Sequence, residues 1–236
     1  MSSPAKTVYV IVTSFFLVAF AIPLVGLGQK GDLHQFLERV DQKLSSVRSL
    51  AASFEQTREI GLTDQTISAK GRLYLQKPGR ILLDYVSPER HKLLVHDSVV
   101  MIYLPSLKQV QRFSFEGTPE GKNLFVFWES LEDLKREFTV SAGRGRGDRL
   151  RYVEFVPKDE AGAEGFRRLV LGIDPELGLP QVIEVEEVGG DVVKMTLSRI
   201  KVNPELKESL FELDLGDEIE IIDYRGDSES VLEQMQ

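Results

Sequence analysis

The sequence predicts an α+β fold: a curved antiparallel sheet of ten or more short strands, with helices at the start and middle of the chain lying against it. Three observations predict it. Residues 71–115 read as five consecutive strands with turn chemistry between them, the second half of the chain returns to the same rhythm, and residues 33–47 carry helical spacing instead.

The five strands are residues 71–76, 80–86, 91–96, 99–104 and 109–115. Pro78-Gly79, Ser87-Pro88, Asp97-Ser98 and Pro105-Ser106 supply the turns between them. Successive side chains point to opposite faces of a strand, so parity assigns a face to each residue. Leu73, Leu75 and Lys77 share one face, as do Ile81, Leu83 and Tyr85 on the next strand and Leu93 and Val95 on the third. The opposite face, with Arg72, Tyr74, Gln76, Asp84, Lys92 and His96, is mixed. This pattern predicts a sheet covered on one side only.

Before the sheet, Lys6 precedes an apolar run over residues 8–27 that ends in Pro23, Gly26 and Gly28. That is the layout of a signal peptide, residues 1–28, cut before Gln29; an uncleaved inner-membrane anchor is the alternative. Either form places residues 29–236, a single domain, outside the cytoplasm. Asp32 then reads as the N-cap of an amphipathic helix whose Leu33, Phe36, Leu37, Val40, Leu44 and Val47 fall on one face. From Arg48 the period changes to strand alternation, and residues 61–65 read as a turn.

After residue 115 comes a Gly-rich connection, 116–121, and then the apolar run 123–128. The shared face of Leu124, Phe127 and Trp128 favours a helix there, followed by a second short helix capped by Ser130. Residues 138–142 and 150–156 form a hairpin around Gly143–Gly147, and 166–173, 180–188 and 191–202 form a meander. A short helix over 204–210, a strand over 218–223 and an acidic tail of about a dozen residues end the chain.

Composition narrows the chemistry. A net charge of −8 with a pI near 5.1 argues against nucleic acid, which requires clustered Lys and Arg. With no cysteine, thiolate catalysis, disulfides and Cys-based metal sites are excluded. The three histidines are scattered, and His91 and His96 have opposite parity, so no metal is expected. Nucleophile elbows, Walker loops and dinucleotide fingerprints are missing, so neither an enzyme nor a cofactor is predicted. The run Gly143–Gly147 joins two strands and opens no helix, which removes the amide ring a phosphate loop needs. An apolar sheet face with only two short covers, 33–47 and 123–135, leaves two options: a plain packed core or a ligand cavity.

Several stretches then carry a resemblance. Residues 44–56 (LSSVRSLAASFEQ), 71–80 (GRLYLQKPGR), Tyr85, Pro88, 99–103 and Lys108-Gln109-Val110 resemble, in order and spacing, the outer-membrane lipoprotein carrier (LolA-type) family. The resemblance covers about 33–223. It implies an incomplete antiparallel β-barrel, here of about ten or eleven strands, with helices forming a lid over a hydrophobic cavity. It implies a periplasmic monomer whose partners are acylated lipoproteins, an inner-membrane lipoprotein-releasing transporter and an outer-membrane acceptor. On that resemblance, Leu73, Leu75, Ile81, Leu83, Tyr85, Leu93 and Val95 form the acyl-chain cavity wall, and Leu37, Val40, Phe125 and Trp128 belong to the lid. One position departs from the family pattern: Lys77 stands where an arginine ties sheet to lid, keeping a rim cation without the planar fork of a guanidinium. The competing readings are an envelope sensor, or a binder of other lipids, on the same scaffold.

Overall fold

The computed structural model describes residues 28–114, 135–136, 138–145, 149–158, 166–213, 215–216 and 218–225. A helix, α1 (Gly28–Ser46), is followed by strands β1 (Ser49–Ile60), β2 (Gln65–Gln76), β3 (Arg80–Ser87), β4 (His91–His96), β5 (Val99–Leu104) and β6 (Gln109–Ser114). The second half supplies β7 (Phe138–Ala142), β8 (Arg151–Pro157), β9 (Phe166–Asp174), β10 (Leu179–Glu187), β11 (Val192–Val202) and β12 (Glu220–Arg225). All twelve strands join one sheet in the order β12-β6-β5-β4-β3-β2-β1-β11-β10-β9-β8-β7. The ends of that order, β12 and β7, do not pair, so the sheet is an unclosed barrel.

The turn residues close the hairpins as their chemistry dictates. Gly79 (φ 66°) lies in the β2–β3 turn, where a Cβ would meet the Asp97 carboxylate, and its carbonyl accepts the Asp97 N–H at 2.8 Å. At the β9–β10 turn the carboxylate of Asp174, almost wholly buried, accepts the N–H groups of Glu176 and Leu177 at 2.9 and 3.1 Å and the Gln181 amide at 2.9 Å. A buried carboxylate is tolerated there because donors replace its water.

Five features depart from the sequence reading. Among the described residues twelve strands form where about ten or eleven were expected. Strand β2 starts at Gln65, not Gly71, and pairs with β1 along its full length, from Ser49↔Gln76 to Ile60↔Gln65. The last strand is not antiparallel: β12 runs parallel to β6, Glu220↔Gln109 through Arg225↔Ser114, because the chain crosses the sheet before reaching it. Asp32 does not cap α1 but lies within it, and the expected helix over 204–210 is a 3-10 turn, Glu208–Phe211.

The outer face is not simply open to water either. Leu82 and Leu94 are buried there against Phe211, with Tyr74, Met101, Leu206, Leu210 and Leu213 around them. A segment from the end of the chain thus folds back over the outside of β3 and β4.

The main core lies on the inner face. Phe36, Leu37, Val40 and Leu44 of α1 pack against Leu50, Phe54, Leu73, Leu75, Leu171, Ile173, Leu179 and Leu197 of the sheet, all of them buried. Gly71 sits opposite Phe54, and a Cβ there would come within 2.5 Å of the Phe54 ring. The glycine is therefore the space the ring occupies.

Candidate functional site

The inner face is built from rows of cross-strand neighbours. One row runs Leu75, Ile81, Val95, Val100, Phe113 and another Leu73, Leu83, Leu93, Ile102. On the other side of β1, one row runs Met195, Ile183, Leu171 and another Val193, Val185, Leu169. Residues at one height in an antiparallel sheet share a face, so these rows make one apolar surface.

Helix α1 crosses that surface at one end and is held at both of its own ends. At its C-terminus Lys77 Nζ donates to the Leu44 carbonyl at 2.9 Å, and Asn203 Nδ2 donates to the Ser46 carbonyl at 3.2 Å. Asn203 Oδ1 also accepts the Arg48 N–H at 2.7 Å, which fixes the turn from helix to β1. Carbonyls at a helix C-terminus lack partners inside the helix, and a cation there also meets the negative end of the helix dipole. Toward the other end Arg151 Nη2 donates to Asp32 Oδ2 at 2.6 Å, with its guanidinium 4.4 Å above the Phe36 ring. The β9–β10 turn closes against the helix at Gly178, where a Cβ would lie 2.7 Å from Lys43 Cγ.

Cover over the inner face is uneven, and Tyr85, a step beyond Leu83, is buried. Leu73, Leu75 and Ile81 are buried, while Leu83 and Leu93, one step further along β3 and β4, are only partly so. Across the sheet Ile183, Val185, Met195 and Val140 are likewise partly buried at the edge of the main core. Val95 is buried in a separate cluster with Val100 and Phe113, onto which the Tyr224 ring stacks at 4.7 Å.

One polar island interrupts the apolar surface. Tyr85 OH donates to Gln56 Oε1 at 2.8 Å, its ring meets Phe54 edge-on at 5.0 Å, and the His91 imidazole stacks on it at 4.0 Å. Burial pushes the Tyr85 phenol up to about 12, so it stays protonated and donating. Burial also lowers the His91 imidazole below its usual range, which keeps it neutral. His91 is therefore half-buried in the site, not one of the scattered surface histidines the sequence suggested. At the end of the sheet far from α1, Arg58 donates to Glu187 Oε2 at 2.7 Å and to Asp191 Oδ2 at 3.1 Å.

Of the residues expected to form wall and lid, the inner face brings together Leu73, Leu75, Ile81, Leu83, Tyr85, Leu93 and Val95, with Leu37 and Val40 above them on α1. Phe125 and Trp128 lie outside the described residues. Sequence reading did not single out Ile183, Val185 and Met195 on the same face, although Ile183 and Val185 alternate with Glu184 and Glu186. It also missed the helix anchors Asn203 and Arg151, for which no local pattern exists. Among the described residues no group of His, Cys, Asp and Glu is placed to hold a metal, and no helix is long and apolar enough to cross a membrane.

A family model described as "Outer membrane lipoprotein carrier protein LolA" matches residues 45–214. The chain belongs to that family. Within the LolA family, the outer-membrane lipoprotein carrier protein of Methylococcus capsulatus is 27% identical over 178 residues, 74% of this chain and 81% of the relative. That of Chromohalobacter salexigens is 23% identical over 206 residues, 87% of this chain and 93% of the relative. An uncharacterized conserved protein from Thermus thermophilus shares the fold, with a TM-score of 0.53 at 13% identity, covering 82% of this chain and 99% of that one. Lys77, the residue the sequence reading set at the rim, makes its bond to α1 through an ammonium.

Proposed function

We propose that this chain is a periplasmic carrier that holds the acyl chains of lipoproteins against its inner face and shuttles them from the inner to the outer membrane. The observation that carries this reading is the graded burial of one continuous apolar surface. It is packed shut beneath α1 and only partly covered at Leu83, Leu93, Ile183, Val185 and Met195. A core with no further purpose would bury those side chains to native density. Each buried methylene contributes about 0.8 kcal/mol, so a protein bearing two or three long acyl chains does not cross water unaided. Apolar surface of comparable size removes that barrier. In this reading α1, with Leu37 and Val40, is the movable part of the cover and Lys77 is its latch.

The remaining expectations follow from the same reading. Residues 1–28 direct export and are removed, and residues 29–236 act as one domain and one monomer ending in an acidic tail. Cargo comes from an inner-membrane lipoprotein-releasing transporter and passes to an outer-membrane acceptor. The carrier performs no bond chemistry and needs no cofactor. A fluorescent triacylated lipopeptide tests the central claim. The carboxylate introduced by Leu83→Glu projects into the face that would receive the acyl chains, and a charge desolvated by lipid is costly. We expect lipopeptide binding to be lost while the circular dichroism spectrum stays that of the wild type. Retained binding, or an unfolded variant, would count against the assignment, and Val185→Asp on the opposite wall provides the independent repeat.

A further inference from the structure

We propose that Gln56, set beside Tyr85 and His91, is a polar subsite on the inner face that takes an uncharged acyl carbonyl, the ester or amide through which a fatty chain joins the rest of an amphiphile. The three residues come from three strands, β1, β3 and β4, and meet only on the curled sheet. Tyr85 is buried, and Gln56 and His91 are half-buried. Each borders one of the partly covered apolar side chains on its own face. Tyr85 is the next same-face residue after Leu83 on β3, His91 the one before Leu93 on β4, and Gln56 lies opposite Met195 of β11. The apolar surface on which the carrier reading rests therefore meets the same polar group on three strands.

Hydrogen-bond capacity shows what the group has left to offer. The Tyr85 hydroxyl donates to Gln56 Oε1 at 2.8 Å, so that oxygen is engaged. Among the described residues nothing accepts from Gln56 Nε2, and its two N–H groups are left over. The nitrogen is not sealed in either, because the one fully enclosed side-chain polar atom without a partner among the described residues is Gln76 Oε1. An open, unpaired donor beside an apolar surface suits a ligand that brings an acceptor and little else polar. Charge narrows that acceptor. Arg58, two residues along the same face of β1, is already held by Glu187 and Asp191. Lys92 pairs across strands with Asp84 on the outer face, and Arg167 stands exposed on β9, three strands from β1. A phosphate beside Gln56 would meet a cation already matched by two carboxylates, whereas a neutral carbonyl needs only the N–H. An acyl chain lying over Leu83, Leu93 and Met195 has one polar end, its carbonyl, and that end belongs at Gln56.

The inference rests on the carrier reading and names the part of the cargo that the inner face recognises. Two matched probes separate the two claims: a fluorescent dipalmitoylglyceryl-cysteine lipopeptide, and its dihexadecyl ether analogue, which lacks both ester carbonyls. The wild type should bind the ester about three- to tenfold more tightly than the ether, the range of one neutral hydrogen bond. Gln56→Glu keeps an acceptor for the Tyr85 hydroxyl and removes the N–H donor, so it tests the donor with the local pairing intact. Gln56→Met removes both without adding charge. Each variant should lose the preference for ester, and Gln56→Met should bind the ether as the wild type does. Equal binding of the two probes by the wild type, or an ester preference that survives in both variants, would overturn the subsite and leave the carrier reading standing. If the wild type binds neither probe, the carrier reading falls and the subsite with it. Dioctanoylglycerol and dioctanoylphosphatidylglycerol share the ester pair and differ by the phosphate, so they tell lipoprotein-like from phospholipid cargo. The uncharged lipid should displace the ester probe about threefold better or more, and equal or better displacement by the phospholipid would overturn the assignment to an uncharged linkage.

Discussion

The latch between Lys77 and α1 gives the sharpest single test. Lys77→Met keeps the length and apolar stem of the side chain and removes the donor that meets the Leu44 carbonyl at 2.9 Å. A hydrogen bond from a charged group contributes about 1.5–3 kcal/mol. Two facts lower the figure here. Lys77 is only half-buried, so water screens part of the charge, and the Leu44 carbonyl keeps the Val47 N–H at 3.1 Å and is not orphaned. We therefore expect about 1–1.5 kcal/mol. The loss should be local, because α1 remains tied through Asn203 to Ser46 and through Arg151 to Asp32. Hydrogen exchange at the last turn of α1 should accelerate by about five- to tenfold, with the β9–β10 amides unchanged. If α1 must lift for acyl chains to enter, apparent lipopeptide affinity should rise by up to the same factor, since the competent fraction limits it. Lys77→Arg should restore protection. Wild-type exchange at α1 in the Met variant, or faster exchange throughout the sheet, would refute a latch.

The remaining predictions concern the inner face. Gly71→Ala forces a methyl to within 2.5 Å of both the Phe54 ring and the Asp84 carbonyl oxygen, and the second is backbone that cannot step aside; urea denaturation should show a loss of about 2–3 kcal/mol. His91 titrates below 6.5 because burial disfavours its charged form, so below that pH the unfolded chain binds more protons and stability falls as pH drops. Glu187, raised by burial, has the opposite slope over its own range, losing stability as pH rises. The comparison is therefore between wild type and His91→Phe, which keeps the stack on Tyr85. Going from about pH 7.5 to about pH 5.5, the variant should lose less stability than the wild type, and parallel losses would remove His91 as the cause.

What could be read from the sequence follows a physical boundary. Strands β3 to β6 were legible to within a residue or so, because alternation and turn residues act over a few positions and need no partner. The first half of β2, Gln65 to Lys70, was not: its residues are polar and mostly exposed, and only pairing with β1 makes them a strand. The outer-face patch hid for a related reason. Leu82 and Leu94 alternate with Asp84 and Lys92, so their face looked wet, and the segment carrying Phe211 that covers them lies more than a hundred residues away. The helix anchors share this non-local origin, with Asn203 and Arg151 meeting α1 only once the sheet has curled.

The same distinction bears on the site. Parity alone assigns Leu73, Leu75, Ile81, Leu83 and Leu93 to one face, and it cannot say which of them α1 will cover. Cover is decided where the helix is pinned, by Lys77, Asn203 and Arg151, and those pins hold it at one end of the sheet. Identical leucines thus diverge: Leu75 is buried and Leu83 only partly so, in adjacent rows of the same surface. Sliding the pinned helix along the sheet would exchange those roles without changing a residue of the wall. The contacts that set the position of α1 are therefore the ones whose loss should alter loading most and folding least.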